Sequence, residues 1–134
     1  MAEEETYFHY TDKDSAKKII ESETILQSEQ KHGDAVKGDG AYLSQLGPSN
    51  SKLVVAKNNF DGYTKQWEDK IKDGKTDVVF EMTLPKDKVQ DHSTELNRDV
   101  HLHPGDINLS EVKDVKVHVK TGDKTYKTLE PKKK

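Results

Sequence analysis

Hydrophobic positions along the chain fall in short bursts separated by polar stretches, and each burst carries a period. Tyr7-Phe8-His9-Tyr10-Thr11 is an aromatic run of strand type. Asp12 or Asp14 then caps a helix whose Ala16, Ile19 and Ile20 fall at i, i+3 and i+4. Ile25-Leu26 begins a short extended piece, and the polar stretch from Gln27 to Gly40 reads as a loop with Gly33, Gly38 and Gly40. Ala41-Tyr42-Leu43-Ser44 predicts a second strand, closed by Gly47-Pro48. Ser49 or Asn50 caps a second helix through Leu53, Val54 and Val55 toward Phe60, and Tyr63 to Ile71 adds a further helical turn or two. Asp77 to Leu84, ended by Pro85, is a strand. Val89, Arg98 to His103, Ile107 to Leu109 and Val112 to Val119 supply more, and in the last Val115, Val117 and Val119 alternate with Lys116 and His118. Helices early and strands late, with hairpin-length connections in the second half, predict an α+β fold. The ordered domain is expected over residues 1–125, with a flexible Lys-rich tail over 126–134.

Composition narrows the picture. Of 134 residues 31% are hydrophobic and 35% charged, with mean hydropathy −1.00, which supplies one small core and no second. No run nears the roughly 20 apolar residues that span a bilayer, and the start MAEEE lacks the plan of a signal peptide. Without Cys there is no disulfide framework, no thiol nucleophile and no Cys-based zinc site. A net charge of −3 gives no basic footprint for general nucleic-acid binding. Arg98 is the single Arg, so bidentate recognition of phosphate or carboxylate is available at one position only.

Three places hold more polarity in strand positions than folding requires. His9 lies inside an aromatic strand, where a packed structural role is the ordinary alternative. Gly38-Asp39-Gly40-Ala41-Tyr42-Leu43 sets glycines before a strand, which allows close backbone approach to a ligand, or simply a glycine turn before a core tyrosine. In Asn97-Arg98-Asp99-Val100-His101-Leu102-His103, strand geometry puts Asn97, Asp99, His101 and His103 on one face. Val100 and Leu102 make the other face the expected core side, leaving His101 and His103 on the solvent side. A carboxylate in that row needs water or a cleft with a use for charge.

Taken together, the His-Tyr-Thr strand, the Gly-x-Gly-Ala-Tyr-Leu-Ser strand and the late Asp-Val-x-Leu-x-Pro-Gly strand resemble the ADP-ribosyltransferase fold. Within it they are similar to the toxin-type transferases named for a His-Tyr-Asp signature, from about Tyr7 to Val119. The resemblance implies two packed, mostly antiparallel sheets that form an NAD cleft with flanking helices. It implies NAD as substrate, cleavage of the nicotinamide–ribose bond, and transfer of ADP-ribose to a macromolecular acceptor, protein rather than nucleic acid, with water as default acceptor. His9, Tyr42 and Asp99 would be the catalytic trio: His9 holding the adenosine ribose, Tyr42 stacking on nicotinamide, and Asp99 accepting a hydrogen bond from the 2′ hydroxyl of the nicotinamide ribose. Tyr10, Thr11, Gly40 and Ala41 would complete the NAD contacts, and Tyr63 (or Phe60) the second ring of the nicotinamide sandwich. A fixed carboxylate favours the oxocarbenium-like transition state over the ground state, so no metal is required.

The sequence departs from the family at Asn97, where many arginine-modifying members carry a second glutamate, which argues against arginine as acceptor. Asp99 is also one methylene shorter than the usual glutamate. A different reading makes Asp99, His101 and His103 a divalent-metal site supported by His92 or His118. A third keeps NAD or partner binding on a fold that has lost turnover. Under each reading the chain is expected to be a monomer without membrane association, and its compartment, cytoplasmic or that of a delivered effector, stays open.

Overall fold

A computed structural model describes residues 3–25, 40–52, 54–55, 71–72, 74–91, 101–112, 114–122 and 124–129. The architecture is α+β, and every described strand pairing is antiparallel. The first strand, β1 (Glu4–Thr11), runs into helix α1 (Lys13–Ser22) and the short β2 (Thr24–Ile25). Then follow β3 (Ala41–Leu43), β4 (Val78–Pro85), β5 (Gln90–Asp91), β6 (His101–His103), β7 (Ile107–Asn108), β8 (Val115–Lys120) and β9 (Tyr126–Leu129). They assemble into a four-stranded sheet in the order β1-β4-β8-β9, a three-stranded sheet β3-β6-β5, and the pair β2-β7.

The central strand β4 shows why the main sheet forms. Val78, Phe80, Met82 and Leu84 point into the main core, while Val79 reaches a smaller cluster on the opposite face. Apolar residues on both faces mark a strand covered from both sides. The valines of β8 behave as their alternation predicts, Val117 buried and Val115 and Val119 packed at the rim of the main core. Helix α1 closes that core with Ala16 and Ile19, supported by Ile20. Its N-cap is Asp12, whose carboxylate accepts from the Ser15 N–H at 2.7 Å and also pairs with Lys75. Partial burial pushes the Asp12 carboxyl up, but the bonds from Lys75 and Ser15 outweigh it and hold the group at about 2. The helix ends on Glu23 in the left-handed region (φ 58°), and its carbonyl accepts from the Leu109 N–H at 2.7 Å.

Several expectations change. Residues 52, 54 and 55 are helical, but the side chain that accepts from the Val54 N–H is Ser51 (3.2 Å), not Ser49 or Asn50. Asn50 instead bonds the Gly47 carbonyl, and the buried Lys120 ammonium donates to the carbonyls of Pro48 and Asn50 (2.5 and 2.8 Å). The ordered sheet also continues past residue 125. Tyr126–Leu129 pairs along β8 from Lys120↔Tyr126 to Val117↔Leu129, so the start of the expected tail is a strand. For the same reason His118, read as the outer half of an alternating strand, is buried: β9 and the Tyr126 ring cover it.

Candidate functional site

The strands carrying His9 and Tyr42 lie side by side. Among the described strands β1 is an edge of the four-stranded sheet and β3 an edge of the three-stranded one. Their backbones meet at Phe8 and Ser44: the Phe8 N–H donates to the Ser44 carbonyl (2.7 Å) and the Ser44 N–H to that of Phe8 (2.9 Å). This bridge is where the two sheets meet. Beside it, Nδ1 of His9 lies 3.2 Å from the Tyr42 carbonyl oxygen.

That contact fixes the chemistry of the imidazole. A carbonyl only accepts, so Nδ1 carries the proton and Nε2 of the neutral ring is left as an acceptor. Burial pushes the His9 pKa down, against the smaller opposing effect of the Tyr42 bond, so the ring is neutral at pH 7. His9 is thus a half-buried, oriented acceptor, suited to a hydroxyl donor such as a ribose. Tyr42 is half-buried opposite Leu102 of β6.

The other residues that the resemblance assigns to NAD contacts are more enclosed. Tyr10 packs with Val55 and Val79, and its hydroxyl donates to the Leu46 carbonyl at 2.8 Å. Burial pushes that phenol up, so it stays protonated. Thr11 is buried at the end of β1 opposite Val78, and Ala41 belongs to the main core. Gly40 serves the neighbouring strand: a Cβ there would sit 2.6 Å from the His103 carbonyl oxygen and 2.6 Å from Leu102 Cδ1. The bare α-carbon lets β3 close onto β6, and the space that a side chain would fill is taken by protein. Asp99 and Tyr63 lie outside the described residues, as do Phe60, His92, Asn97 and Arg98.

The histidine row on β6 reverses the expected facing. The register Leu43↔His101 and Ala41↔His103 sets both histidines on the face of Ala41 and Leu43, which belong to the main core. His101 is buried, its ring edge-on to Tyr7 at 5.3 Å and its Nδ1 3.8 Å from Asp91. Burial, with the charges of Glu5 and Asp91 behind it, pushes the Tyr7 phenol up. Leu102, on the opposite face, is buried as well. The physical reason is that β6 is the middle strand of its sheet and is dry on both sides, so period alone cannot name the wet face. His103 is half-buried, and its Nδ1 is enclosed without a hydrogen-bond partner among the described residues. Among the described residues no group of three His, Asp or Glu side chains is placed to hold a metal ion.

Ser44, just past β3, has a role that no sequence pattern singles out: its backbone makes the bridge to Phe8 and its side chain is buried. Among the described residues no helix is long and apolar enough to cross a membrane. No family model, no curated protein and no solved structure matches the chain.

Proposed function

We propose that the chain is an NAD-dependent mono-ADP-ribosyltransferase of the His-Tyr-Asp type, with NAD in a cleft where the two larger sheets meet. The observation that carries this reading is the junction of β1 and β3. The strands bearing His9 and Tyr42 are neighbours, and the His9–Tyr42 hydrogen bond leaves Nε2 poised to accept from a hydroxyl. In the proposed mechanism His9 holds a ribose hydroxyl of NAD and Tyr42 offers a face to nicotinamide. Aromatic contact of this kind is worth roughly 0.5–1.5 kcal/mol beyond area burial, so it orients more than it binds. Asp99 stabilises the positive charge that develops on the ribose as the bond to nicotinamide breaks. ADP-ribose then passes to an acceptor, or to water in a glycohydrolase side reaction.

The test is nicotinamide release from NAD by the full chain, followed by the same assay on Asp99→Ala. Removing a carboxylate that acts in the transition state should lower kcat by roughly 10²–10³-fold and leave KM nearly unchanged. Equal turnover by wild type and Asp99→Ala would sink the assignment. Saturable NAD binding with no nicotinamide release would instead identify a binding domain on the same fold.

A further inference from the structure

The face of the four-stranded sheet turned away from the main core carries a second polar constellation that NAD chemistry does not use. His118 of β8 is buried, with 4% of its surface exposed. Its Nε2 lies 2.7 Å from Oε1 of Glu81 on β4, and its Nδ1 lies 2.7 Å from Oγ1 of Thr128 on β9. A carboxylate only accepts, so Nε2 carries the proton. In the neutral form of the ring the lone pair at Nδ1 faces Thr128, whose hydroxyl is placed to donate to it. Hydroxyl, base and orienting acid therefore stand in sequence within the 2.6–3.2 Å reach that activates a nucleophile. The Tyr126 ring packs edge-on against the imidazole at 5.0 Å, while Thr128 itself is exposed.

Ladder geometry adds a fourth element. The Thr121 N–H donates to the Thr125 carbonyl at 3.0 Å, so two positions along, in antiparallel alternation, Val119 and Lys127 are also a hydrogen-bonded pair. His118 and Thr128 are then a non-hydrogen-bonded pair, the kind whose side chains lie closest. The phase agrees with the Lys120 N–H, which points to the Asp77 carbonyl on the β4 side. It turns the N–H of Thr128 away from β8, toward the outer edge of the last strand in the sheet. An amide of the nucleophile's own residue is a familiar oxyanion donor.

We propose that Glu81, His118 and Thr128 form an acyl-transfer site that takes the acyl group of a small carboxylic ester. Thr128 Oγ1 attacks the acyl carbon as its proton passes to His118 Nδ1. The ester C–O bond breaks and the leaving alcohol takes that proton from His118. Water, deprotonated by the same nitrogen, then hydrolyses the threonine ester and restores the hydroxyl. Glu81 is a positioning residue that holds the ring and favours the transient imidazolium. The site uses β4, β8 and β9 and no residue of the β1–β3 junction, so its outcome is independent of the NAD reading.

The probe is p-nitrophenyl acetate added to the full chain, with p-nitrophenolate release followed by absorbance and the modified peptide located by mass spectrometry. Wild type should carry a hydroxylamine-labile acetyl group on Thr128. Thr128→Val, an exposed substitution whose fold circular dichroism would verify, should lose that label and at least 10-fold of the release rate. Thr128→Ser should keep both. His118→Asn should slow labelling by about 10²-fold or more. Glu81→Gln should slow it less, lowering kcat with KM unchanged, because Glu81 holds the ring and does not touch the ester. Acetylation confined to lysines, with release unchanged in Thr128→Val, would overturn the proposal and leave the three side chains as a pin between strands.

Discussion

Asp12 joins two jobs in one carboxylate, and a pair of substitutions separates them. It caps α1 through the Ser15 N–H and it pairs with Lys75, which arrives from the turn before β4. A carboxyl held at about 2 rather than its ordinary 3.8 favours the folded, ionised form by at most ~2.4 kcal/mol. The Lys75 side chain is 37% exposed and that of Asp12 16%, so solvent screening brings the expected value nearer ~1.5 kcal/mol. Asp12→Asn keeps an oxygen for the cap and loses the charge, so it should cost about 1–1.5 kcal/mol at pH 7. Asp12→Ala loses the cap as well and should cost about 1 kcal/mol more. The folded-state pKa is depressed, so this stability is fully present above about pH 4 and is lost as pH falls through about 2. Urea titrations followed by far-ultraviolet circular dichroism at pH 7, 4, 3 and 2 measure it, with the wild-type-minus-Asn difference cancelling the other carboxylates. That difference should hold from pH 7 to 4 and then shrink toward zero. A difference independent of pH, or an Asn variant no more stable than the Ala variant, would refute the division of labour.

Two further substitutions probe the packing around the site. Gly40→Ala would drive a methyl into the His103 carbonyl and Leu102 Cδ1, so β3 or β6 must shift; a loss of about 1–3 kcal/mol in urea unfolding is expected. A variant as stable as wild type would mean that the two strands are not pressed together there. Lys120→Met keeps the apolar stem but strips the donor from the Pro48 and Asn50 carbonyls, and should cost about 2–3 kcal/mol by thermal or urea unfolding. A neutral outcome would show that water takes over both carbonyls.

Local signals made part of the fold legible. The run Val78 to Leu84 stopped by Pro85, the Asp12 cap with Ala16 and Ile19 behind it, and the alternating valines of β8 each contain their own evidence. β9 does not. Lys127 and Thr128 alternate with little apolar content, and the segment is a strand because β8 offers it an edge. The burial of His101 and His118 was hidden for a related reason, since a strand's period separates two faces without saying which one another element covers. At the site, His9 and Tyr42 could each be singled out in sequence, but a separation of 33 positions says nothing of contact. The bridge of Phe8 to Ser44 exists only once two sheet edges meet. Gly40 announced a need for space and left open whether a ligand or a neighbouring strand would use it.

The order β1-β4-β8-β9 also dictates how the sheet must come together in time. The β8–β9 hairpin closes over six positions, from Lys120 to Tyr126, whereas β1 must find β4 across 67 positions at Thr11↔Val78 and 81 at Glu4↔Pro85. Bringing ends together over 67 positions rather than six costs about 2 kcal/mol more in loop-closure entropy. The hairpin and its partner β4 are therefore the cheap nucleus, and β1 joins last, at the highest entropic cost. β1 also reaches across to β3, and because Phe8 and Ser44 are closer in the chain than any β1–β4 pair, the junction beside His9 and Tyr42 closes a shorter loop than the ladder that anchors β1 to its own sheet.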